Sequence, residues 1–583
     1  MTFLGKLHRL VVLDESDRTK NRDLVPMPVS RRRWGVYGYT SYWTLLCLCI
    51  STWSGGSSLL LFDVGTDGSV SVLGMNGQQT IGCIVLANFF ISVAAILNSV
   101  YGSKYHIGYS VFQRIIFGVR GSAFGVLIRA ILSVVWFASQ SWLGGLCVNV
   151  VLSSWSRRFL NMKNTFPESV PMTSQELVGF VVFLVINVPV LMIRPEYYDH
   201  ILAAGSFCMF FVGLGITIWA VKANGWSNGP LLTAPITASS SQLGWSWMAN
   251  LNAWYSFIVA GIANQSDYAR FNRRPRDSYI GTMIGVNVMG IVLPLMGIVT
   301  ASAMLERYKQ TFWMPNDICM FWLQEHYDAK SRAGAFFAGL GLLISQLGVN
   351  CASNAISGGM DLASIFPEYI NIRRGALLIM LLAWPTQPWL FYNTSSTFIT
   401  VMSSFTVFIT PLTAMFMCDY YVIRKQVIKL SDLYVDSPKS IYWYQKGVNW
   451  RNMLCFLFGA APGLPGLIHA ANPKIHINSG INHFYQGSFV FQFVITFALY
   501  YIINTVFKPE VGQRDHVDYY HTFTEKELRE WDMVPADDYN YPSIEFTNSS
   551  SKEVHYENPH ADGSLQHLKM GYNETSKESM EES

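Results

Sequence analysis

Two pairs of polar side chains lie four residues apart inside long apolar stretches, so the members of each pair share one helix face. The first pair is Trp136 and Gln140, and the second is Asn350 and Asn354. An indole ring beside a carboxamide suits a flat heteroaromatic compound, because the ring can stack while the amide reads donors and acceptors at the compound's edge. We predict that both pairs face one central binding site. The alternative is that Trp136 packs in the core while Gln140 bonds a neighbouring helix.

Two apolar stretches are interrupted by residues that weaken a helix. Gly55 and Gly56 lie within "STWSGGSS", and Gly261 and Asn264 lie within "VAGIANQSD". Glycine in a helix interior costs about 1 kcal/mol relative to alanine, so we predict helix breaks at these positions. Breaks in two spans that are five apart are typical of inverted-repeat transporters, where unwound backbone lines a central cavity. The alternative is that the glycines let helices pack closely.

The composition indicates a membrane protein. Hydrophobic residues make up 51% of the 583 residues, whereas charged residues make up only 14%. A soluble domain carries about 25% charged residues, so we predict an all-α polytopic membrane protein. Stretches of roughly 20 mostly apolar residues predict about twelve transmembrane helices, with eleven as the alternative count. These stretches lie near residues 41–62, 79–99, 121–151, 173–193, 200–221, 246–266, 279–301, 333–357, 374–390, 394–418, 453–470 and 487–506.

Lys and Arg are more frequent in the loops on the N-terminal side of the membrane, which predicts that both termini are cytoplasmic. We predict an N-terminal tail over residues 1–40, a transmembrane transporter domain over 41–506 and a disordered C-terminal tail over 507–583. Ser, Thr and Lys residues of the C-terminal tail are candidates for kinase or ubiquitin machinery, although a merely solvated tail is an equal alternative. Arg129, near the start of the third span, is expected to snorkel to the inner membrane face.

Catalytic and metal-binding motifs are not found in the sequence. It contains no metal-ligand cluster, nucleophile elbow or phosphate-binding loop, and its nine cysteines lack metal-ligand spacing. No carboxylate falls at the centre of a predicted span, because Asp267 and Asp361 lie at span ends. We therefore expect no enzyme activity, no metal site, no cofactor and no nucleic-acid partner. The expected partners are a small heterocyclic substrate, a coupling ion and the lipid bilayer.

Longer motifs resemble a known family. They run from "NRDLVP" near the N-terminus through "RRRWGVYGYTSYW", "NQSDYARF", "SNAISGGMDLASIFPEYINIRRGA" and "CDYYVIRK" to "PGLPG". Together they resemble the fungal branch of the nucleobase–cation symporter-1 family, which holds uracil, uridine, allantoin, thiamine and nicotinamide riboside permeases. "NQSDY" and "FYNTSSTFITVMSSF" are most similar to the thiamine and nicotinamide riboside permeases. The resemblance implies a LeuT-type fold, with helices 1–5 and 6–10 as inverted repeats, two further helices, and alternating access to a central site.

The resemblance also implies roles for the polar pairs. In bacterial hydantoin transporters and fungal uracil transporters, a Trp and a Gln on the third helix contact the substrate ring, and these match Trp136 and Gln140. An Asn on the eighth helix does the same and matches Asn354, with Asn350 one turn earlier. These pocket residues fit the uracil, uridine and allantoin pattern, whereas the longer motifs fit the thiamine-like subgroup.

Two positions depart from the family pattern. The aromatic residue of the sixth helix that sandwiches the substrate is not clearly matched, because Ile258 lies near its place. Trp254 lies one turn earlier and is the predicted substrate-binding residue of this helix. The Ser–Thr pair of the eighth helix that helps to bind sodium in the bacterial relative corresponds to Gly348 and Val349. These residues carry no hydroxyl ligand for a hard cation. Proton coupling, usual among the fungal relatives, is therefore the better expectation.

The predicted function is that of a plasma-membrane proton symporter, a secondary active transporter that imports a small heterocyclic nutrient. Thiamine, nicotinamide riboside or a nucleoside is the expected substrate, and a uracil or allantoin permease of the same family is the alternative. A nutrient sensor that has lost transport is an alternative of another class, suggested by the long C-terminal tail. Ligand binding without uptake would favour the sensor.

Overall fold

The computed structural model describes residues 12–13, 16–61, 75–236, 238–517, 519 and 522–536. These residues fold mainly into helices, with one short parallel pair of strands. The helices of the first half are α1 (Val36–Cys47), α2 (Ile50–Leu61), α3 (Gly77–Asn98), α4 (Val100–Tyr105), α5 (Tyr109–Phe117), α6 (Ser122–Trp155), α7 (Arg157–Leu160), α8 (Ser174–Leu191) and α9 (Asp199–Ala223).

The second half continues the helical pattern. Its helices are α10 (Ser240–Ala263), α11 (Gln265–Ala269), α12 (Pro275–Ile284), α13 (Gly290–Tyr308), α14 (Pro315–Glu325), α15 (Ala329–Val349), α16 (Ser357–Ile365), α17 (Ile372–Leu382), α18 (Ser395–Met417), α19 (Trp450–Ala460), α20 (Leu464–Ala471), α21 (Ser479–Gln486), α22 (Ser488–Val506) and α23 (Glu525–Glu530). The π-helical segments are Gly285–Met289, Asn350–Ile356 and Cys418–Ile423, and the strands are β1 (Asp515–His516) and β2 (Val534–Pro535).

Nine helical segments within the described residues are long and apolar enough to cross a membrane. They are Gly77–Tyr105, Ser122–Trp155, Ser174–Leu191, Asp199–Ala223, Pro275–Tyr308, Ala329–Ile365, Ser395–Ile423, Trp450–Ala471 and Ser488–Val506. Three other predicted spans have a different form, because the first is split into α1 and α2, the sixth (α10) carries several polar residues, and the ninth (α17) has only 11 residues. The count of twelve therefore stays a prediction.

The centre of the molecule is built around α6, which has 34 residues and packs against α8, α15 and α16. The interrupted helices lie beside this group: α2 packs against α13, while α10 packs against α3 and α18. Local signals set several helix starts. Thr173 and Glu176 form a capping box at α8, and Ser239 and Gln242 form one at α10, so backbone N–H groups of the first turn are satisfied.

The described tail residues pack against the body of the protein. Arg32, before α1, donates to the Glu527 carboxylate at 2.5 Å and to the Thr522 carbonyl at 2.6 Å. His106 Nε2 lies 3.4 Å from the same carboxylate. The structure therefore corrects the predicted disorder of 507–583 for its described part, up to residue 536. The partners that order this part are hundreds of positions away in sequence, and residues 537–583 lie outside the described residues.

The start of the membrane domain also differs from the prediction. The first helix begins at Val36 instead of residue 41, and the segment before it is packed, with Asn21, Leu24 and Val25 buried. Asn21 donates to the carbonyls of Pro367 and Ile370, which follow α16. These contacts bury the N-terminal segment without a helix, which a pattern of apolar spans does not predict.

The contact between Arg32, His106 and Glu527 is predicted to weaken in acid. Burial lowers the pKa of the His106 imidazole below its ordinary 6.5. Burial tends to raise the pKa of Glu527, but hydrogen bonds from His106 and Arg32 hold it below its ordinary 4.5. Because both pKa values are lowered, the structure with residues 522–536 packed binds fewer protons than one in which this segment has detached. The stability of the packed segment therefore falls as the pH falls. Amide hydrogen exchange over 522–536, corrected for intrinsic rates, should rise from about pH 7.5 to about pH 5.5.

Two substitutions distinguish the contact between Glu527 and Arg32 from a general effect of removing a negative charge from α23. Glu527→Gln should raise exchange over 522–536 several-fold at neutral pH, because it removes the charge opposite Arg32. Glu525→Gln is the matched control, since it makes the same change on the same helix at a side chain that is 90% exposed. Equal exchange in the two variants would contradict the assigned role of Glu527.

Candidate functional site

A central cavity lies where the interrupted helices meet α6 and the region between α15 and α16. Its lining residues are Tyr42, Leu46, Cys49, Ser51, Thr52, Arg129, Ser133, Trp136, Gln140, Trp254, Phe257, Ile258, Ala260, Gly261, Asn264, Val349, Ser353 and Asn354. Trp136, Gln140, Trp254, Gly261, Asn264 and Asn354 were predicted from the sequence as site residues. Asn350, Gly55 and Gly56 were also predicted, but they do not line the cavity.

The interruption of the first span lies at Leu48 and Cys49, between α1 and α2. It exposes the Leu48 carbonyl, which accepts a hydrogen bond of 3.1 Å from Ser345 Oγ of α15. Thr52 Oγ1 donates to the Leu46 carbonyl at 3.3 Å. Backbone groups freed inside a membrane need such partners. The break is therefore set by hydroxyl groups that face it.

Gly55 and Gly56 lie inside α2, so the predicted break at these glycines is corrected. A Cβ atom on Gly56 would lie 2.8 Å from the Pro294 carbonyl oxygen of α13, and one on Gly55 would lie 3.0 Å from the Phe257 ring. The separation at Gly56 is too short for a side chain, and the one at Gly55 would require the Phe257 ring to shift. The glycines therefore let α2 pack closely on its neighbours, which was the alternative interpretation.

The sixth span is interrupted at Asn264, between α10 and α11, while Gly261 lies within α10. Hydrogen bonding orients the Asn264 amide with its nitrogen 2.9 Å from the Ala260 carbonyl and its oxygen 2.9 Å from Arg129 Nη1. The same oxygen accepts from Ser357 Oγ at 2.7 Å. The side chain thus satisfies the carbonyl end of α10 and connects it to α6 and α16.

Arg129 forms a buried charged cluster, so the predicted snorkelling to the membrane face is wrong. Its side chain is 2% exposed and forms ion pairs with Asp361 of α16 and, at 3.4 Å, with Asp267 of α11. The guanidinium also lies 4.6 Å from the centre of the Tyr109 ring. A buried guanidinium is tolerated when carboxylates and hydrogen bonds compensate it. The sequence signal was available in Asp267 and Asp361, which end two spans at a similar depth.

Several aromatic rings line the cavity, among them those of Trp136, Trp254 and Phe257. Trp136 packs against Phe405, with ring centres 5.3 Å apart, and its indole Nε1 has no hydrogen-bond partner among the described residues. The Trp254 indole donates to Asn88 Oδ1 at 2.9 Å, which fixes its ring beside Phe257. Planar compounds stack on such rings.

The amides of the two predicted pairs make different contacts. Asn354 Nδ2 donates to Asn350 Oδ1 at 3.2 Å, and Asn350 Nδ2 donates to Ser141 Oγ at 2.8 Å, so Asn350 orients Asn354 from behind the cavity wall. Gln140 Nε2 donates to Ser51 Oγ at 2.9 Å. Gln346 of α15, a residue that the sequence did not single out, donates to the Gln140 backbone and side-chain oxygens.

A family model described as permease for cytosine/purines, uracil, thiamine, allantoin matches residues 26–491. The chain belongs to this family. The permease is similar to Thiamine transporter THI72 of Saccharomyces cerevisiae, with 36% identity over 517 residues that cover 88% of this chain and 84% of the relative. It is 35% identical over 541 residues to Nicotinamide riboside transporter 1 of the same yeast, covering 92% and 88%.

Other similarities concern a third yeast protein and the fold. The Uracil permease of Saccharomyces cerevisiae is 28% identical over 489 residues, which cover 82% of this chain and 75% of the relative. The structure of Mhp1, a nucleobase-cation-symport-1 family transporter, in a closed conformation with bromovinylhydantoin bound, matches with a TM-score of 0.66 at 18% identity, covering 88% of this chain and 100% of Mhp1. The permease therefore has the predicted LeuT-type inverted-repeat fold and is a multi-pass membrane transporter.

The close packing at Gly56 predicts that Gly56→Ala destabilises the permease. The added methyl group must displace Pro294 backbone, and overpacking of this kind costs about 1–3 kcal/mol. Gly215→Ala is the matched control, because a Cβ on this helical glycine of α9 meets nothing within 4 Å. Thermal unfolding of the detergent-solubilised proteins should show a lower midpoint for Gly56→Ala alone. Equal midpoints would contradict the close-packing role.

Proposed function

We propose that this permease is a secondary active transporter that imports a small heteroaromatic nutrient, thiamine or nicotinamide riboside, together with a proton. The observation that carries the proposal is the central cavity, where Trp136 and Trp254 present aromatic rings beside Asn354, at the interruptions of two helices. Flat rings stack on indole faces, and the Asn354 amide supplies directional hydrogen bonding. Helix interruptions at one cavity suit alternating access, because they let parts of a helix move separately.

The similarities to known transporters support this choice of substrate. The thiamine and nicotinamide riboside transporters of yeast share more identical residues with the chain than the Uracil permease does. Thiamine and nicotinamide riboside each carry a flat heteroaromatic ring with a permanent positive charge. Indole faces attract such rings through cation–π contacts, and these are stronger when the ring is desolvated.

Proton coupling is supported by the residue types at two positions of α15. Gly348 and Val349 stand where the bacterial relative is expected to place its sodium-binding hydroxyls, and neither offers a hard oxygen ligand. The space at Gly348 is also occupied, because a Cβ there would lie 2.9 Å from Leu45 Cδ2. This filled, apolar position supports a coupling ion other than sodium.

Asp361 is the residue that we propose to carry the proton. Its carboxylate and that of Asp267 share the Arg129 guanidinium, and Asp361 Oδ2 has no hydrogen-bond partner among the described residues. Asp267 differs, because its Oδ1 also accepts the Tyr109 backbone N–H at 2.8 Å. A proton on Asp361 Oδ2 would occupy an oxygen that has no hydrogen-bond partner and would leave the contact between Oδ1 and Arg129 in place.

We also propose the plasma membrane as the location of the permease, with both termini in the cytoplasm. The excess of Lys and Arg in the loops on the N-terminal side supports this orientation. Kinase or ubiquitin machinery would then reach the Ser, Thr and Lys residues that follow position 536. Protease protection in sealed cells, with tags at each terminus, tests the orientation.

Uptake by cells that lack their own importers tests the proposed function. We expect uptake of labelled thiamine or nicotinamide riboside that depends on an imposed proton gradient and is unchanged when sodium is replaced. Trp136→Ala and Asn354→Ala should each reduce this uptake at least about a hundredfold, because both remove ring or amide contacts at the substrate. Trp155→Ala is the control, since it makes the same change at an exposed position of α6. Binding without uptake by the wild type would favour a sensor, and normal uptake in both cavity variants would remove these residues from the site.

Substrate exchange across the membrane and substrate accumulation should respond differently to Asp361→Asn. In vesicles with substrate on both sides, exchange needs no net proton movement, so we expect Asp361→Asn to retain it. Accumulation driven by a pH gradient should be lost, because the variant cannot take up the proton. Asp267→Asn is the matched control and should retain gradient-driven accumulation. An unchanged pH dependence in Asp361→Asn would exclude Asp361 as the proton carrier.

A further inference from the structure

Gln346 holds the carboxamide that the family pattern assigns to substrate recognition. It lies on α15 with its side chain fully buried. Its Nε2 donates to the Gln140 backbone carbonyl at 3.0 Å and also to the Gln140 side-chain oxygen. The Gln140 nitrogen donates in turn to Ser51 Oγ at 2.9 Å. Gln140 therefore has protein partners for both its oxygen and its nitrogen.

This arrangement limits what Gln140 can offer to a substrate. A neutral lactam or ureide, such as uracil or allantoin, presents a carbonyl oxygen and an N–H side by side. A carboxamide recognises this edge by presenting its own oxygen and N–H together. Gln346 takes one of the two acceptor positions of the Gln140 oxygen and Ser51 takes one of its two N–H groups, so the protein holds the Gln140 amide in one orientation and shares the edge that a lactam would need.

The aromatic faces of the cavity are not affected by these contacts. Trp136, Trp254 and Phe257 line the cavity. A heteroaromatic ring with a permanent positive charge is bound mainly by cation–π contacts with such aromatic faces and depends less on hydrogen bonds. The positive charge of Arg129 at the cavity wall is offset by Asp267 and Asp361. The cavity is thus better suited to a cationic ring than to a neutral lactam.

We propose that Gln346 is a specificity-determining residue, which directs the permease towards permanently cationic heteroaromatic compounds by withholding Gln140 from neutral lactams and ureides. This inference rests on the proposed transport function and adds the residue that selects among substrates. Gln346 acts through Gln140 and Ser51, so it is a positioning residue. It does not itself line the cavity.

The contacts of Gln346 also make it a suitable residue to replace. Its Oε1 has no hydrogen-bond partner among the described residues, so the side chain is only partly satisfied where it is buried. Replacing this amide with an apolar side chain of similar volume removes the unsatisfied oxygen, while the Gln140 side-chain oxygen loses its donor and needs a new partner, which a substrate in the cavity can supply. Gln346→Met keeps the length of the side chain and removes both donors.

The experiment compares substrates in vesicles with an imposed pH gradient, using labelled thiamine, uracil and allantoin. The wild type should take up thiamine, and uracil or allantoin in about hundredfold excess should not compete. In Gln346→Met, uptake of uracil or allantoin should rise at least about tenfold, while thiamine uptake stays within about threefold of the wild type. A selective gain of this kind is not expected if Gln346 is only structural.

Two further variants identify the cause of a gain. Gln346→Met/Gln140→Leu should lose the new uptake, because the freed amide is removed. Gln492→Met is the matched control, since Gln492 is a fully buried glutamine on α22 that bonds backbone carbonyls of Val407, Gly459 and Ala460 away from the cavity. No new uptake is expected in it.

The possible outcomes separate this inference from the function on which it rests. Absence of a gain in a well-expressed Gln346→Met, persistence of the gain in the double variant, or uracil uptake by the wild type equal to that of thiamine would each overturn the role of Gln346. If Gln346→Met is not produced, competition on the wild type decides: equal inhibition of thiamine uptake by uracil overturns the inference, and no inhibition supports it. No uptake of any compound by the wild type would overturn the proposed function itself.

Discussion

Every backbone group freed at a helix break inside a membrane must find a partner, because lipid offers none. In this permease the region of α15 and α16 supplies partners at both breaks. Ser345 donates to the Leu48 carbonyl at the first break, and Ser357 bonds the Asn264 amide at the second. The cavity exists where it does because one continuous region supports both interruptions. A movement of that region would therefore alter both breaks together.

The charged cluster of Arg129, Asp267 and Asp361 also needs partners inside the protein, and an unpaired charge there costs more than an unpaired backbone group. Arg129 of α6 is buried from water, and it pairs with the carboxylates of Asp267 on α11 and Asp361 on α16. A buried guanidinium without such partners would cost several kcal/mol. The cluster therefore fixes α6, α11 and α16 relative to one another whenever all three charges are present. Neutralising one carboxylate weakens this connection, which is how a proton could alter the packing next to the cavity.

The sequence predicted the residues that face one another along a helix better than those that meet across the fold. The spacing of Trp136 and Gln140, and the apolar spans around them, follow from local periodicity. The first break was placed six residues away, because the glycines of "SGG" weaken a helix in isolation but pack tightly here. The true break depends on Ser345, whose contact with Leu48 spans 297 positions. Likewise, the order of the segment near Glu527 depends on Arg32, 495 positions away.

The same distinction explains why the cavity residues alone leave the substrate open. Trp136, Gln140 and Asn354 match a pattern expected in relatives of different substrate class, so residue types at the cavity wall do not separate those classes. What differs is which donors and acceptors remain after the residues behind the wall have formed their bonds. Asn350 leaves Asn354 at the cavity, whereas Gln346 engages both oxygens of Gln140. If Gln346 has the proposed role, the selectivity of this permease is decided one layer behind the residues that line the cavity, where each buried amide must satisfy its own hydrogen bonds before it can serve a substrate.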